Sequence, residues 1–244
     1  MNIKTFLMEF FFSLTKVIPK NLICPILLGP LKGKKIITGA PAGKGKGLSL
    51  IINQSEPKKL NMIEDFVSLN DIIFDIGANI GIYTLIFSKY AKKVYAFEPL
   101  PRNYYYLQRT LNINGVENVH IINKAISDRT RTLYFEKGDS WATGSISNEG
   151  EIKISSITLD NFCDSNKISP DFLKIDVEGA EYSVLKGAKN ILSKNKPGIL
   201  IEIHGTDTKI KCFEYLKELD YNYFKRIMIN KRRGIEEYLF FSKF

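Results

Sequence analysis

The chain has 244 residues, of which 44% are apolar and 25% are charged, as in an ordinary globular protein with one full core. This composition excludes a disordered, collagen-like or membrane-bundle chain. The net charge is +9, but residues 1–47 hold eight lysines against one acid, so the rest contributes only +2. A uniformly basic domain that binds nucleic acid is therefore not indicated.

Few residues are available for redox or metal chemistry. Cys24, Cys163 and Cys212 form no Cys-x-x-Cys pair, which argues against a disulfide scaffold or a zinc ribbon and favours the reducing cytoplasm. His120 and His204 are the only histidines, so no His-rich metal site can be assembled and no metal is expected.

The N-terminal segment combines the basic excess with an apolar run. Residues 6–14 are strongly apolar, but Glu9 interrupts them and the run is shorter than the ~20 residues that span a bilayer. No small-residue cleavage site of a signal peptide follows it. We expect residues 1–60 to form an extension that packs on or near the core. Contact of residues 1–47 with an anionic membrane surface, peripheral to the membrane, is the alternative left open.

From Asp71 onward, apolar runs of strand length alternate with amphipathic segments, which predicts a parallel α/β sheet in one domain over residues 61–244. The predicted core strands are 72–75, 94–97, 119–123, 172–175 and 198–203, and the predicted helices are 80–90, 101–111, 181–192 and 209–219. Short strands at 132–135 and 152–157 flank a polar excursion with Trp141, either a substrate lid or a surface loop. Two strands joined by a turn, 221–226 and 236–241, close the chain.

A glycine loop follows the first predicted strand, in the sequence Asp75-Ile-Gly77-Ala-Asn79-Ile-Gly81. The glycines leave backbone amides open to a ligand at a helix N-terminus. Their Gly-x3-Gly spacing differs from that of dinucleotide-binding folds, and Asp75 suits a ligand with an ammonium and a sulfonium better than a pyrophosphate. Glu98 ends the next strand, where a carboxylate can accept both hydroxyls of a ribose.

These motifs resemble those of the FkbM family of S-adenosylmethionine-dependent methyltransferases. The similarity extends to the segments AISD (125–128), LKIDVEGAE (173–181) and EIHG (202–205), and covers roughly residues 29–205. It implies a seven-stranded Rossmann-like methyltransferase sheet with a terminal antiparallel hairpin and a short N-terminal extension. It also implies O-methylation of a hydroxyl on a small molecule or sugar. The implied S-adenosylmethionine-binding residues are Asp75, Gly77, Asn79, Gly81, Glu98 and Asp128, the last on the exocyclic amine of the adenine.

The candidate catalytic residues are Asp176, Glu178 and His204, at the carboxyl ends of the fourth and fifth core strands. A hydroxyl acceptor needs a base for its proton, and Asp176 and His204 are both open to that role. A histidine base would titrate near its ordinary pKa of about 6.5. The structural alternatives are a helix cap for Asp176, a core position for His204 and a solvated Glu181.

Other functions stay open. An RNA methyltransferase is disfavoured because Asp176-Val-Glu-Gly stands where amino-group enzymes have Asn/Asp-Pro-Pro-Tyr, and no Pro-Cys nucleophile is present. A protein methyltransferase has no simple signature in its acceptor pocket. A non-catalytic nucleotide-binding module would leave the acids and the histidine at the strand ends unexplained. A dehydrogenase is disfavoured by the glycine spacing and by the terminal hairpin.

Overall fold

The structure is a computed structural model that describes residues 19–40, 51, 60, 62–136, 145–146, 150–230 and 234–242. For residues 145–146 it describes the backbone alone. The apolar run 6–14 and Trp141 lie outside the described residues, so the predictions made for them stay predictions.

The described chain contains strands, α-helices and one 3₁₀ turn. The strands are β1 (Ile23–Pro25), β2 (Lys35–Ile37), β3 (Ile72–Ile76), β4 (Lys93–Phe97), β5 (Val119–Ile122), β6 (Ala125–Ile126), β7 (Arg131–Glu136), β8 (Ser145–Ile146), β9 (Ile152–Ile157), β10 (Phe172–Ile175), β11 (Gly198–His204), β12 (Tyr223–Asn230) and β13 (Ile235–Phe241). The α-helices are α1 (Ile82–Tyr90), α2 (Pro101–Ile113), α3 (Leu159–Asn166), α4 (Glu181–Lys186), α5 (Lys189–Lys194) and α6 (Thr206–Glu218), and a 3₁₀ turn covers Ile63–Asp65.

A seven-stranded sheet forms the centre of the fold, in the order β12–β13–β11–β10–β3–β4–β5. The strands from β11 to β5 run parallel, whereas β13 pairs antiparallel with both β11 and β12. The predicted methyltransferase sheet with a terminal antiparallel hairpin is therefore confirmed. A second, smaller sheet has the order β6–β9–β7–β8.

Both faces of the central sheet are buried at its inner strands. Phe74 of β3 belongs to a core cluster with residues of α3 to α6, and its neighbour Ile73 belongs to a cluster with residues of α1 and α2. This alternation of faces explains why the parallel strands appear in the sequence as nearly continuous apolar runs. Because β3, β4, β10 and β11 run parallel, their carboxyl ends lie along one edge of the sheet, where the loops that follow them meet.

The described part of the N-terminal segment packs on this core. Strands β1 and β2 form an antiparallel hairpin, and Ile26, Leu31 and Ile36 lie in the same cluster as Ile73. Residues 19–40 are thus part of the folded body, while the boundary at residue 60 stays a prediction. No helix in the described ranges is long and apolar enough to cross a membrane.

Two helical segments differ from the prediction. Helix α3 was not predicted, although Thr158 caps it by accepting a hydrogen bond from the amide of Asn161. The predicted helix over 181–192 is divided into α4 and α5 at Gly187. A Cβ at Gly187 would lie 2.0 Å from the carbonyl oxygen of Ser127, so close packing against the segment after β6 demands glycine there.

Candidate active site

The glycine loop connects β3 to α1 in a backbone conformation that favours glycine. Gly77, Asn79 and Gly81 have φ angles of 79°, 51° and 92°. A Cβ at Gly77 would lie 1.8 Å from the carbonyl oxygen of Asp176, and one at Gly81 would lie 2.6 Å from Leu107. The sequence predicted these glycines for the access of a ligand to the backbone. In the structure, the close approach of the protein's own atoms already favours glycine at both positions. Gly77 in particular lets the end of β10 lie against the loop.

Glu98 follows β4 and is held by the same loop. Its side chain accepts hydrogen bonds from the backbone amides of Asn79 at 2.8 Å and Leu100 at 2.9 Å, and also from the side chain of Asn103. Burial raises the pKa of Glu98 to about 7, against the opposing effect of these donors. A carboxylate has about four acceptor positions, so roughly one is left for a further donor.

Asp75 lies beneath the loop rather than on its open side. Its side chain is fully buried, with Oδ2 accepting a 2.6 Å hydrogen bond from the hydroxyl of Thr84 and Oδ1 lying 3.3 Å from Lys174 Nζ. No part of the carboxylate is exposed in this geometry, and the predicted role of Asp75 in cofactor binding stays a prediction. Within the protein, Asp75 holds Lys174 and the first turn of α1.

Lys174 joins the glycine loop to the end of β10, a role that was not predicted from the sequence. Its Nζ donates to the carbonyl oxygen of Gly77 at 3.0 Å and lies 3.6 Å from Asp176 Oδ2. Burial opposes its charge, but Asp75 and Asp176 hold the pKa of Lys174 above its ordinary value, so it is a cation. A lysine inside the otherwise apolar strand Phe172–Ile175 was the signal that could have identified it.

Acidic side chains converge on His204 at the ends of β10 and β11. Its Nδ1 lies 2.8 Å from Oε1 of Glu181, while its Nε2 lies 3.4 Å from Glu178 and 3.8 Å from Glu202. Glu181 is fully buried and also accepts a hydrogen bond from the amide of Gly179, so the alternative in which it is solvated does not hold. The structure thus brings Glu178 and His204 together, as their positions at the strand ends predicted.

These neighbours change the protonation of His204. Burial favours the neutral ring, but the hydrogen bond and charge of Glu181, together with Glu178 and Asp176, raise the pKa of His204 to about 9. The pKa of His204 is therefore higher than the expected value near 6.5, and its ring is charged at neutral pH. Burial also raises the pKa of Glu178 to about 7, although His204 acts in the opposite direction.

The same group of side chains has the spacing of a cation site. Ligand atoms of Asp176, Glu202 and His204 all lie within 4.8 Å of one another. Lys174 and the charged His204 already place positive charge among these carboxylates. The expectation that the chemistry needs no metal stays a prediction.

Asp128, proposed for the adenine, follows β6 and is surrounded by cations. Its carboxylate lies 3.4 Å from Arg129, 3.3 Å from Arg131 and 3.6 Å from Lys186. Burial alone would raise the pKa of Asp128, but the hydroxyl of Ser127 and these cations lower it. Its oxygens already have partners, and its role toward adenine stays a prediction.

A family match explains this combination of loop and strand ends. The model of the methyltransferase FkbM domain matches residues 75–229, more than half of the chain. The chain belongs to the FkbM methyltransferase family. It is therefore a methyltransferase, and its cofactor is S-adenosylmethionine, as the motifs predicted.

Two curated relatives of this FkbM methyltransferase have names that describe sugar chemistry. It is 32% identical over 161 residues to the hexuronic acid methyltransferase AglP of Haloferax volcanii. This match covers 64% of this chain and 66% of AglP. It is 29% identical over 148 residues to the 2-O-methyltransferase NoeI of Sinorhizobium fredii, covering 51% of this chain and 60% of NoeI. The matches span less than two thirds of the length of each relative.

Solved structures share the fold at lower identity. The FkbM methyltransferase of Methylobacillus flagellatus has a TM-score of 0.55 and 21% identity, covering 71% of this chain and 44% of that one. TYW2 of M. jannaschii, solved with AdoMet, has a TM-score of 0.51 and 16% identity, and the match covers 85% of this chain and 80% of TYW2. At these identities the likeness supports the fold alone.

The residues around the glycine loop fit S-adenosylmethionine. Helix α1 begins at Ile82 with no side chain capping its first amides, and such a helix end suits a carboxylate. Glu98 has room for about one further donor, and its predicted contact with the ribose hydroxyls stays a prediction. When bound, S-adenosylmethionine supplies an electrophilic methyl group on a positively charged sulfur, which the neighbouring carboxylates favour.

Proposed function

We propose that this methyltransferase transfers the methyl group of S-adenosylmethionine to a hydroxyl of a sugar or of a similarly hydroxylated small molecule. Support comes from the similarity to AglP and NoeI, which are named a hexuronic acid methyltransferase and a 2-O-methyltransferase. It also comes from the chemistry of the strand ends, where carboxylates are acceptors for the neighbouring hydroxyl groups of a polyol.

The observation that carries the proposal is the continuity between the cofactor loop and the acidic strand ends. Lys174 contacts the carbonyl oxygen of Gly77 and the carboxylate of Asp176, so the two sites lie within reach of one side chain. A hydroxyl bound at Asp176 is therefore next to the loop that holds the donor. Alignment of donor and acceptor contributes much of the rate in such a displacement.

The proton of the acceptor hydroxyl must leave as the carbon–oxygen bond forms and the carbon–sulfur bond breaks. We assign its removal to Asp176, whose side chain is 31% exposed and so open to an acceptor, whereas that of His204 is only 14% exposed. With a pKa of about 9, His204 already carries a proton at neutral pH and is a poor base there. We assign His204 and Glu178 to holding the acceptor and orienting the carboxylates.

The rest of the acceptor has a cleft beside this edge. A cavity of about 150 Å³ opens after His204, between the start of α6, the end of β12 and the start of β13. Its lining includes Thr206 and Asn230, which offer hydrogen-bond donors and acceptors suited to hydroxyl groups, and Lys209, which is paired with Glu236 of the same lining. We propose that a sugar ring extends from the strand ends into this cleft.

RNA and protein acceptors are the alternatives that the experiment must separate. The carboxylates of Asp176, Glu178 and Glu202 oppose the approach of a polyphosphate backbone. A basic peptide would be attracted by the same charges, so charge alone does not distinguish it from a sugar.

The decisive experiment is methyl transfer from labelled S-adenosylmethionine to a panel of hexuronic acids, neutral sugars, RNA and peptides. We expect label in the sugars and a loss of about 10²-fold or more in Asp176→Asn, the range for removal of a general base. Calorimetry with S-adenosylhomocysteine checks that the variant still binds the cofactor product. Label confined to RNA or peptide would overturn the proposal, and full activity of Asp176→Asn would overturn the assigned base.

A further inference from the structure

The N-terminal hairpin carries a concentration of exposed apolar side chains. Leu22, Ile23, Leu27 and Leu28 are each about half exposed, with relative accessibilities of 49%, 47%, 52% and 55%. They lie within seven consecutive positions, whereas the next densest set in the described ranges, on strand β12, has three such residues within seven positions: Tyr223, Phe224 and Ile229. Single exposed apolar residues are normal, but a concentration of them marks an interaction surface.

The same hairpin is basic and contains no acid. Residues 19–40 include four lysines and no Asp or Glu. Lys20, Lys32 and Lys35 are exposed. Helix α2 extends the surface, because Arg109 lies within hydrogen-bond distance of both the side chain of Asn21 and the hydroxyl of Tyr105, which is itself exposed. We name these residues the basic–apolar patch: Lys20, Leu22, Ile23, Leu27, Leu28, Lys32, Lys35, Tyr105 and Arg109.

The patch is presented on a fixed support. Thr38 donates to the carbonyl oxygen of Pro19 at 2.6 Å and accepts from the amide of Leu22 at 3.0 Å. The guanidinium of Arg102 donates to the carbonyl oxygens of Gly39 and Ala40. The exposed side chains are therefore not the frayed end of a loose segment, because the hairpin behind them is bonded to the body of the protein.

We propose that the basic–apolar patch docks the protein on the headgroup region of an anionic lipid bilayer. Exposed leucines enter the boundary between headgroups and acyl chains, while the lysines attract anionic lipid, and both contributions are needed for interfacial binding. A second copy of the chain is a poorer occupant, since a symmetric contact would bring the lysines of each copy together. This inference does not depend on the identity of the methyl acceptor.

Vesicle co-sedimentation of the full chain tests the proposal. Vesicles of phosphatidylcholine with phosphatidylglycerol are compared with vesicles of phosphatidylcholine alone, at low salt and near 1 M salt. We expect binding to the anionic vesicles only, and its release at high salt, where charges are screened beyond about 3 Å. Equal binding to neutral and anionic vesicles, or none to either, would overturn the proposal.

Matched variants locate the binding surface. Each basic residue near an anionic surface strengthens binding by roughly fivefold, so Lys32→Glu with Lys35→Glu should weaken binding by about 25-fold or more. Leu27→Ser with Leu28→Ser should also weaken it, by about tenfold or more. The control is Leu69→Ser, because Leu69 is 70% exposed and lies outside the patch.

Binding of S-adenosylhomocysteine separates this proposal from the function of the active site. All variants should keep it, which shows that they fold and that the cofactor site is intact. Vesicle binding by both patch variants equal to that of the unmodified chain would overturn the assignment to this surface. So would light scattering that shows a dimer in the unmodified chain and a monomer in the patch variants, because the patch would then be a self-association surface.

Discussion

Replacing Glu181 with glutamine should lower the pKa of His204 from the value of about 9 that it has in the intact site. Oε1 of Glu181 lies 2.8 Å from Nδ1 of His204, and the carboxylate is fully buried. Glutamine has the same shape and keeps a hydrogen-bond acceptor, but it removes the charge. Burial of the imidazolium then acts without this counter-charge, and burial favours the neutral ring.

The raised pKa of His204 sets the size of the expected effect on stability. A folded-state pKa of about 9 against 6.5 in the unfolded chain corresponds to roughly 3 kcal/mol in favour of the charged ring. Because the folded pKa is the higher one, this contribution to stability is complete below about pH 6.5 and is lost as the pH rises through about 9. We expect Glu181→Gln to lower the pKa of His204 by at least about 1, which is about 1.4 kcal/mol or more.

The chain has only two histidines, so an NMR titration of the imidazole rings resolves both. His120 serves as the reference because burial, with help from Lys93, lowers its pKa, and a His120→Gln variant assigns the signals. Urea unfolding at pH 6 and pH 9.5 gives a second measurement, in which the intact chain should lose more stability than Glu181→Gln. A pKa of His204 near 6.5 in the intact chain, or no change in the variant, would refute the reasoning.

Gly77→Ala should lower the free energy of unfolding by more than about 3 kcal/mol in urea, because its Cβ would lie 1.8 Å from the carbonyl oxygen of Asp176. Gly115→Ala, at a φ of 61° with open space around it, should lose only about 1 kcal/mol, and equal losses would contradict the packing argument. Glu98→Ala should weaken the binding of S-adenosylhomocysteine by about 1.5–3 kcal/mol in calorimetry, and an unchanged Kd would remove Glu98 from the cofactor site. Lys174→Met leaves a buried carboxylate without its cation and should cost about 3–5 kcal/mol in urea unfolding, whereas a loss below about 1 kcal/mol would contradict the bridging role. Dialysis against EDTA should leave methyl transfer unchanged, and activity restored only by added Mn²⁺ would show that a metal takes part.

The sheet could be predicted because its inner strands are buried on both faces. Phe172–Ile175 and Gly198–His204 are apolar for most of their length, and the amphipathic segments between them have helical spacing. The terminal hairpin was visible as two such runs with only a turn between them. Helix α3 was not visible, because its eight residues include only two large apolar side chains, Leu159 and Phe162.

The site was predicted as a set of residues but not as a set of contacts. Their places at strand ends indicated that Glu178 and His204 converge, since parallel strands end at one edge of a sheet. Their spacing did not indicate that Glu181, on the first turn of α4, would be fully buried behind the histidine. A helix can direct an acid toward water or toward the sheet, and the packing of α4 on β11 and α6 decides which.

The burial of Asp75 also depended on packing that no local pattern specifies. A strand-end acid beside a glycine loop is chemically suited to a charged ligand, and the sequence supported that interpretation. Lys174, 99 residues further along the chain, takes its place opposite Asp75 because the two residues are partners in the pairing of β3 with β10. The identity of that partner follows from the strand order and the register, which the sequence alone does not give.

Carboxylates outnumber cations at this edge of the sheet, and the excess suits a reaction in which the donor loses its positive charge. Asp75 and Asp176 flank Lys174, while Glu178 contacts His204. A sulfonium bound beside them is attracted, more strongly than in water because the surroundings are partly buried. Methyl transfer makes the sulfur neutral, and the acceptor releases one proton in the same step. If a carboxylate takes that proton, the positive charge of the sulfonium and the negative charge of the carboxylate disappear in the same step. The total charge of the site is then unchanged until the proton leaves to solvent, so methyl transfer leaves no uncompensated buried charge.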